Sequence, residues 1–325
     1  MRQVYLRPCA FIETPVGFDG QAARLAGTMV YFTAVELIET EGGKRVSKAL
    51  LSLADFDAHL TGLPADLADK ARGQFSNATS TRPALKMGSR NIQLDQPRVM
   101  GILNCTPDSF SDGGKHGDDP DAIAGIGGAM AAAGAAIIDI GGESTRPGAP
   151  LVWEGDEIKR VQPVVDRLAN AGHAVSIDTR KAAVMEAALA AGATMINDIS
   201  ALLYDERSLA VAQANNCPIV LMHTPSQSSD PHKSDGYHDV LFDVYDWLED
   251  RVEAALVELV AHDVARGENG GAAGRAEQQS HLAEVSGRLQ RRELVSHRAV
   301  GRVAHDVHVS LREDIERIGR LALPA

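Results

Sequence analysis

Short apolar runs alternate with amphipathic segments between residues 97 and 265. Each run is nearly continuous, which is typical of parallel strands that are covered on both faces. The segments between the runs repeat apolar residues at helical spacing, as Ile158, Val161 and Val165 do. This alternation predicts an α/β fold with a parallel sheet. The predicted strands comprise residues 99–103, 136–140, 174–177, 194–196 and 218–222.

A polar residue follows each of these apolar runs. Polar side chains at the carboxyl ends of consecutive strands are typical of a (β/α)8 active site, whereas a doubly wound sheet binds its ligand at one switch point after a glycine-rich turn. No GxGxxG or GxxxxGK[ST] motif occurs in the sequence. We therefore predict a (β/α)8 TIM-barrel type of fold, of which about five β/α units are recognisable. The polar residues are Asn104, Glu143, Asp178, Asn197 and His223.

The regions on either side of these units differ from them in composition. Residues 1–95 contain a β-branched and aromatic run at 30–35 and a predicted helix at 66–72, so we interpret them as an α+β extension of unknown role. Residues 96–266 form the barrel portion. Residues 267–325 lack Lys, Cys, Met and aromatic residues and contain nine Arg, and we expect this Arg-rich tail to be helical or disordered.

The overall composition excludes several classes of protein. A hydrophobic content of 44% over 325 residues is too high for a disordered chain. A formal net charge of −12 disfavours a nucleic-acid-binding surface. No apolar run is long enough for a signal peptide or a membrane span. Cys9, Cys105 and Cys217 show neither zinc spacing nor a disulfide pattern, so we expect a cytoplasmic protein.

Residues at the ends of the later strands are candidates for ligand binding. Asp178 and Asn197 together could read the edge of a flat heterocycle, although either could instead cap the following helix. Met222 could pack against a flat ring or belong to the core. We interpret His223 as a strand-end imidazole with satisfied hydrogen bonds. Cys105 has no His nearby in the sequence, so we do not expect it to be a nucleophile.

Two long loops follow the first two predicted strands. Residues 101–114 are rich in Gly, Ser and Asp and contain Phe110, which indicates a mobile loop at a functional site rather than an ordinary surface loop. Residues 139–148 contain Thr145 and Arg146. This pair suits an anion, because Arg can bind a phosphate group through two parallel hydrogen bonds.

In chain order, these segments resemble the signatures of dihydropteroate synthase, a family of pterin-binding barrels. The resemblance is most specific at residues 103–114 (LNCTPDSFSDGG) and 139–148 (DIGGESTRPG), and it continues at 176–179, 196–198 and 221–223. It covers about half of the chain. It implies the condensation of 6-hydroxymethyl-7,8-dihydropterin diphosphate with 4-aminobenzoate, which yields dihydropteroate and diphosphate for folate synthesis.

The resemblance also implies a role for each matched residue. Asn104 would help to bind Mg²⁺, the expected cofactor, together with the diphosphate. Arg146 would contact the departing diphosphate, and Asp178 would stabilise positive charge that develops on the pterin ring. The implied catalytic residues are Asp178 and Arg146, the implied metal ligand is Asn104, and the implied substrate-binding residues are Phe110, Thr145, Arg146, Asp178, Asn197 and Met222.

The family pattern is no longer recognisable after Arg266. The motifs of the sixth and seventh strands, Asp-Pro-Gly-x-Gly-Phe-Gly-Lys and Ser-Arg-Lys, are not found there. Arg302 and His305 have one residue too many between them for the Arg-x-His motif of the eighth strand, and an extra residue turns one side chain to the opposite face of a strand. The 59 residues after Arg266 are too few for three further β/α units, so we predict an incomplete barrel.

Two alternatives to an active synthase stay open. The tail could be translated out of frame, which would make the chain a truncated or frameshifted inactive relative that retains part of the pterin site. A pterin-dependent methyltransferase of the related barrel group would share the Asp178–Asn197 array, although the long loop at 103–114 favours the synthase. The expected partners are small-molecule substrates rather than nucleic acid or a membrane, and the chain could form a homodimer.

Overall fold

The computed structural model describes residues 1–106, 119–144, 146, 149–224 and 236–266, with side chains as far as Leu256. The chain forms two compact units, one ending at Val99 and the other beginning at Met100. Each unit has its own core of buried side chains.

The first unit contains a four-stranded sheet, two helices and a two-stranded hairpin. The elements are β1 (Arg2–Ile12), β2 (Ala23–Arg24), β3 (Tyr31–Glu41), β4 (Lys44–Ser52), α1 (Leu53–Leu60), α2 (Ala65–Thr79), β5 (Leu85–Met87) and β6 (Arg90–Ile92). In the larger sheet, β3 is central and pairs antiparallel with β1, β2 and β4. The α+β extension predicted from the sequence is therefore confirmed.

Both helices of the first unit pack against the sheet. The Phe32 ring meets the Phe75 ring edge to face, with 6.3 Å between their centroids. Gln74 of α2 covers the free edge of β1, because its Oε1 accepts a hydrogen bond from Leu6 N at 2.8 Å and its Nε2 donates one to Val4 O at 3.1 Å. The side-chain amide thus satisfies backbone groups that an edge strand would otherwise expose.

The second unit alternates strands and helices. The elements are β7 (Val99–Asn104), α3 (Pro120–Ala132), β8 (Ala135–Gly141), α4 (Glu154–Asn170), β9 (Val175–Asp178), α5 (Ala182–Ala190), β10 (Met195–Asp198), α6 (Ser208–Asn215), β11 (Ile219–Leu221) and α7 (Val240–Arg266). Among the described residues, no helix combines the length and the apolar run that a membrane crossing requires.

Local sequence explains where the helices begin and end. The Asp119 carboxylate caps α3 by accepting a hydrogen bond from Asp121 N at 3.0 Å, and Pro120 occupies the start of the helix, where a missing N–H costs nothing. Acidic residues fill the first turn of α4 and favour the positive end of its dipole. Asn216 ends α6 in the left-handed region, with φ of 45°.

The strands of the second unit lie in chain order, from β7 to β11, in one five-stranded sheet. The pairs from β8 to β11 are parallel. Successive side chains alternate between the faces, so Ile138 and Ile140 pack into the core while Asp139 and Gly141 point to the other face, which we call the inner face.

Sequential parallel strands with a helix after each are the arrangement of a TIM barrel, and the predicted α/β class with five β/α units is confirmed. In the described part of the chain, β7 and β11 form the ends of the sheet. The prediction for residues 267–325, helices or coil without strands, lies outside the described residues.

Candidate active site

The carboxyl ends of β8, β9 and β10 bring the two central candidate residues side by side. Asp178 and Asn197 are register partners across β9 and β10, and Gly141 is the register partner of Asp178 on β8. Register partners in parallel strands share a face, so all three positions lie on the inner face. A side chain at Gly141 would place its Cβ 3.4 Å from Asp178 Oδ2, so glycine leaves room beside the carboxylate.

Asp139 lies deeper on the same face and orients the Asn197 side chain. It is 4% exposed, and its Oδ2 accepts a hydrogen bond from Asn197 Nδ2 at 2.9 Å. Its Oδ1 has no hydrogen-bond partner among the described residues. Asp139 was not among the candidate residues predicted from the sequence. The available signal was a charged residue inside an isoleucine run, two positions before Gly141 and hence on the same face.

The electrostatic environment raises the pKa of the Asp178 carboxyl well above its usual range. Burial, with repulsion from Asp139 and Glu157, raises the pKa of Asp178 to about 7. Burial also raises the pKa of Asp139, and the side chains of Ser176 and Asn197 oppose part of that rise. A carboxyl that titrates near neutral pH can either donate or accept a proton, and such groups cluster at functional sites.

The helix-capping alternative does not hold for Asp178. The helix that follows it, α5, begins after Lys181, and the backbone N of Ala182 donates to Asp205 Oδ2 at 2.9 Å. A capping-type role belongs instead to Asp198, which follows Asn197 and points away from the inner face.

Asp198 holds the turn after β10. Its Oδ1 accepts hydrogen bonds from the backbone N and the Oγ of Ser200, both at 2.7 Å, and its Oδ2 accepts one from Leu202 N at 3.0 Å. Ala201 and Leu202 have φ of 52° and 64°, a region that non-glycine residues seldom adopt. The Asp198 carboxylate therefore supports a strained turn, and the neighbouring Asn197 faces the site.

The residues proposed for the diphosphate side are partly described. Arg146 is exposed in the loop between β8 and α4, and its carbonyl accepts a hydrogen bond from Ala149 N at 3.0 Å. Asn104 ends β7 with an exposed side chain. Thr145 and Phe110 lie outside the described residues, so the roles assigned to them stay predictions.

Met222 and His223 differ in surroundings although they are neighbours. Met222 is 44% exposed just after β11, which favours a contact surface over a core position. The His223 ring packs edge to face on Trp247, with 4.8 Å between centroids. Burial lowers the pKa of His223, and its Nε2 has no hydrogen-bond partner among the described residues. The interpretation of His223 as a strand-end imidazole with satisfied hydrogen bonds stays a prediction, and among the described residues the ring packs on Trp247.

The surroundings of Cys105 make its thiol unreactive. It is buried in the core of the second unit beside Leu103, and burial raises its pKa to about 12. A nucleophilic cysteine requires the thiolate, which this environment disfavours strongly at neutral pH. The structure thus agrees with the expectation that Cys105 is not a nucleophile.

The expected Mg²⁺ stays a prediction, with Asn104 as the residue assigned to it. Among the described residues, no three His, Cys, Asp or Glu side chains are placed to hold a metal ion. Mg²⁺ commonly takes only one or two protein oxygens and completes its coordination with substrate phosphates and water. The exposed amide of Asn104, at the carboxyl end of β7, can supply such an oxygen.

A protein-family model and several known proteins match the second unit. The model of a family described as pterin binding enzyme matches residues 100–297, a range that runs beyond Arg266 into the tail. The dihydropteroate synthase of Bacillus subtilis is 47% identical over 159 residues, which are 49% of this chain and 53% of that protein. The dihydropteroate synthase of Streptococcus pyogenes is 45% identical over 166 residues, which are 51% of this chain and 59% of that protein.

A solved structure shows a similar partial match. The dihydropteroate synthase of Xanthomonas albilineans with 4-aminobenzoic acid is 45% identical, and the match covers 54% of this chain and 62% of that one with a TM-score of 0.49. The chain therefore spans between half and two thirds of the length of these relatives.

Proposed function

The chain belongs to the pterin-binding enzyme family, and from this premise we propose that it acts as a dihydropteroate synthase. It would join 6-hydroxymethyl-7,8-dihydropterin diphosphate to 4-aminobenzoate and release diphosphate. The observation that carries the proposal is the register pairing of Asp178 with Asn197 on the inner face, where burial raises the pKa of Asp178 to about 7. The names of relatives that are 45% and 47% identical support it.

The pterin would bind at this pair. Because Asn197 Nδ2 donates to Asp139, the amide presents its carbonyl Oδ1 as the acceptor for a ring N–H. The Asp178 carboxyl would hydrogen-bond the neighbouring edge of the ring, and its ionised form would stabilise positive charge that spreads into the ring during reaction. Met222 would contact the face of the ring.

The reaction breaks the bond between the pterin methylene carbon and the diphosphate oxygen, and it forms a bond from that carbon to the 4-aminobenzoate nitrogen, which then loses a proton. Arg146 and Thr145 would hold the diphosphate, and the Arg146 guanidinium would stabilise the departing anion. Asn104 would hold Mg²⁺, which when bound supplies further positive charge to the leaving group. Phe110 would contact the substrate, as the family resemblance implies.

The location of the protein is proposed to be the cytoplasm. Its cysteines show no disulfide pairing among the described residues, which supports this location. A homodimer is proposed only from the family resemblance. The methyltransferase alternative has less support, because the curated relatives named above are synthases.

Measurement of diphosphate release tests the proposed function. The purified full chain is given the pterin diphosphate, 4-aminobenzoate and Mg²⁺, and each component is omitted in turn. We expect release that depends on all three and falls by about a hundredfold or more in Asp178→Asn, because a preorganised charge is removed. The control is Asp166→Asn, the same substitution at an exposed site on α4.

Binding of 6-hydroxymethylpterin, followed by calorimetry, separates the alternatives. A cooperatively folded chain that binds the pterin without diphosphate release would identify the inactive relative. A folded chain that neither binds the pterin nor releases diphosphate would rule out any role in this reaction.

A further inference from the structure

Lys181 lies between strand β9 and helix α5 with every N–H of its ammonium group engaged. Its Nζ donates to Glu157 Oε2 at 2.6 Å, to the carbonyl oxygen of Val152 at 2.6 Å, and to Glu143 Oε2. An ammonium group has three donors, so these acceptors use all of them. The Lys181 side chain is 8% exposed, which makes the arrangement an interior one.

The acidic partners of Lys181 are equally well satisfied. Glu143 Oε1 accepts a hydrogen bond from Arg180 at 3.1 Å, and Glu157 Oε1 accepts one from Thr179 Oγ1 at 2.7 Å. The set contains two carboxylates and two cations, so it is neutral overall. Burying charges is costly unless each is paired and hydrogen-bonded, and this set meets that condition.

Two of the three acceptors lie at opposite ends of one loop. Glu143 comes just after β8, Val152 comes just before α4, and Arg146 lies in the chain between them. A single ammonium group therefore sets the distance between the two ends of the segment that carries Arg146. The third acceptor, Glu157, anchors that ammonium group to α4, which packs in the core.

We propose that Lys181 is a positioning residue for the diphosphate side of the site, acting through Glu143 and the Val152 carbonyl on Arg146. This inference rests on the proposed binding of diphosphate by Arg146. A guanidinium group placed before the diphosphate arrives binds it without the cost of ordering the loop. Arg at position 181 would not reproduce the arrangement, because its planar donors cannot converge on three acceptors as an ammonium group does.

The test measures loop order and ligand binding in the full chain. Lys181→Met leaves a buried carboxylate unpaired and risks misfolding, so the second variant, Lys181→Met with Glu157→Gln, restores charge balance. The control is Lys48→Met, an exposed lysine of the first unit that pairs with Glu36. Hydrogen exchange of peptides covering 143–153 is compared with that of β9 and β10.

We expect exchange about tenfold or more faster in residues 143–153 of the charge-balanced variant, with β9 and β10 unchanged. Affinity for inorganic diphosphate with Mg²⁺ should fall by a similar factor, while 6-hydroxymethylpterin, which lacks the diphosphate, should bind as before. The Lys48→Met control should match the wild type in all three measurements.

The outcomes that would overturn the inference are distinct from a failure of the proposed function. Unchanged exchange in residues 143–153, or faster exchange spread evenly through the second unit, would show that Lys181 does not position the loop. Equal losses of pterin and diphosphate affinity would show a general structural role. If the wild type itself does not bind diphosphate, the proposed function fails, and loop exchange still decides whether Lys181 orders the loop.

Discussion

At the scale of single residues, side chains alternate between the two faces of strand β10, so Asn197 and Asp198 point in opposite directions. Asn197 points to the inner face beside Asp178, whereas Asp198 turns away and holds the turn at Ser200. Because successive strand residues face opposite sides, adjacent polar residues cannot both serve one site. The carboxyls of Asp139 and Asp178 do share the inner face, and burial raises the pKa of each.

The shared environment of these carboxyls predicts a pH-dependent stability. Burial raises the pKa of Asp178 from 3.8 to about 7, so in this range the folded chain binds a proton that the unfolded chain has lost. The contribution of Asp178 to wild-type stability should therefore fall as the pH rises from about 4 to about 7. Asp178→Asn cannot ionise and should remove this part of the fall. The free energy of unfolding of Asp178→Asn should equal that of the wild type at pH 4 and exceed it by about 2–4 kcal/mol at pH 8.

Urea unfolding followed by tryptophan fluorescence measures this difference. Trp153 and Trp247 both belong to the second unit, so the signal reports on the unit that contains Asp178. Asp166→Asn controls for the substitution itself. Profiles of stability against pH that run parallel for wild type and Asp178→Asn would contradict the argument.

At the scale of elements, close packing of α3 on α4 depends on a glycine. Gly127 of α3 is buried, and a Cβ there would lie 2.7 Å from Leu168 Cδ1 and 3.1 Å from Leu103 Cδ2. Leu168 is 2% exposed and Leu103 is 2% exposed, so neither side chain can swing into solvent to make room. The sequence alone marks Gly127 only as a weak helix former.

We expect Gly127→Ala to destabilise the second unit by about 1–3 kcal/mol through overpacking, despite the higher helix propensity of alanine. Gly125→Ala, two residues earlier in the same helix, is the matched control. Among the described residues, no heavy atom beyond its chain neighbours and the backbone of its own helix lies within 4 Å of a Cβ at that position. This control should instead gain about 0.5–1 kcal/mol. Equal shifts of the urea midpoint in both variants would refute the packing argument.

At the scale of the whole molecule, the chain consists of two units with separate cores. The core of the first unit joins β1 and β3 to both of its helices around Phe32, and Gln74 covers the edge of β1. A unit with its own buried core and satisfied sheet edge is expected to fold independently.

We therefore expect a fragment of residues 1–99 to fold and to melt cooperatively, as followed by circular dichroism. Phe32→Ala in the fragment should cost about 3–5 kcal/mol, because it opens a cavity in a small core. Phe11→Ala, at a position 55% exposed, is the control and should cost much less. A broad, non-cooperative melt of the unmodified fragment would show that the first unit needs the rest of the chain.

The strands and the central pair of the site could be predicted because they depend on local pattern. Apolar runs of strand length, alternating with helical spacing, indicated β7 to β11 within two residues of their observed bounds. Asp178 and Asn197 were expected to lie together because parallel strands end at the same edge of a sheet. Thr145 and Phe110 lie outside the described residues, and their roles rest on sequence resemblance.

The amino-acid sequence by itself determined the α/β class, the order of the strands, the resemblance to a pterin-binding family and the identity of the pair at the strand ends. Only the tertiary structure showed that Asp139 orients Asn197, that Asp198 supports a turn, and that Lys181 joins the ends of the Arg146 loop. The physical reason is how far apart along the chain the interacting residues lie. Periodicity reports neighbours along the chain, whereas burial, proton affinity and buried ion pairs depend on residues that folding brings together from separate elements.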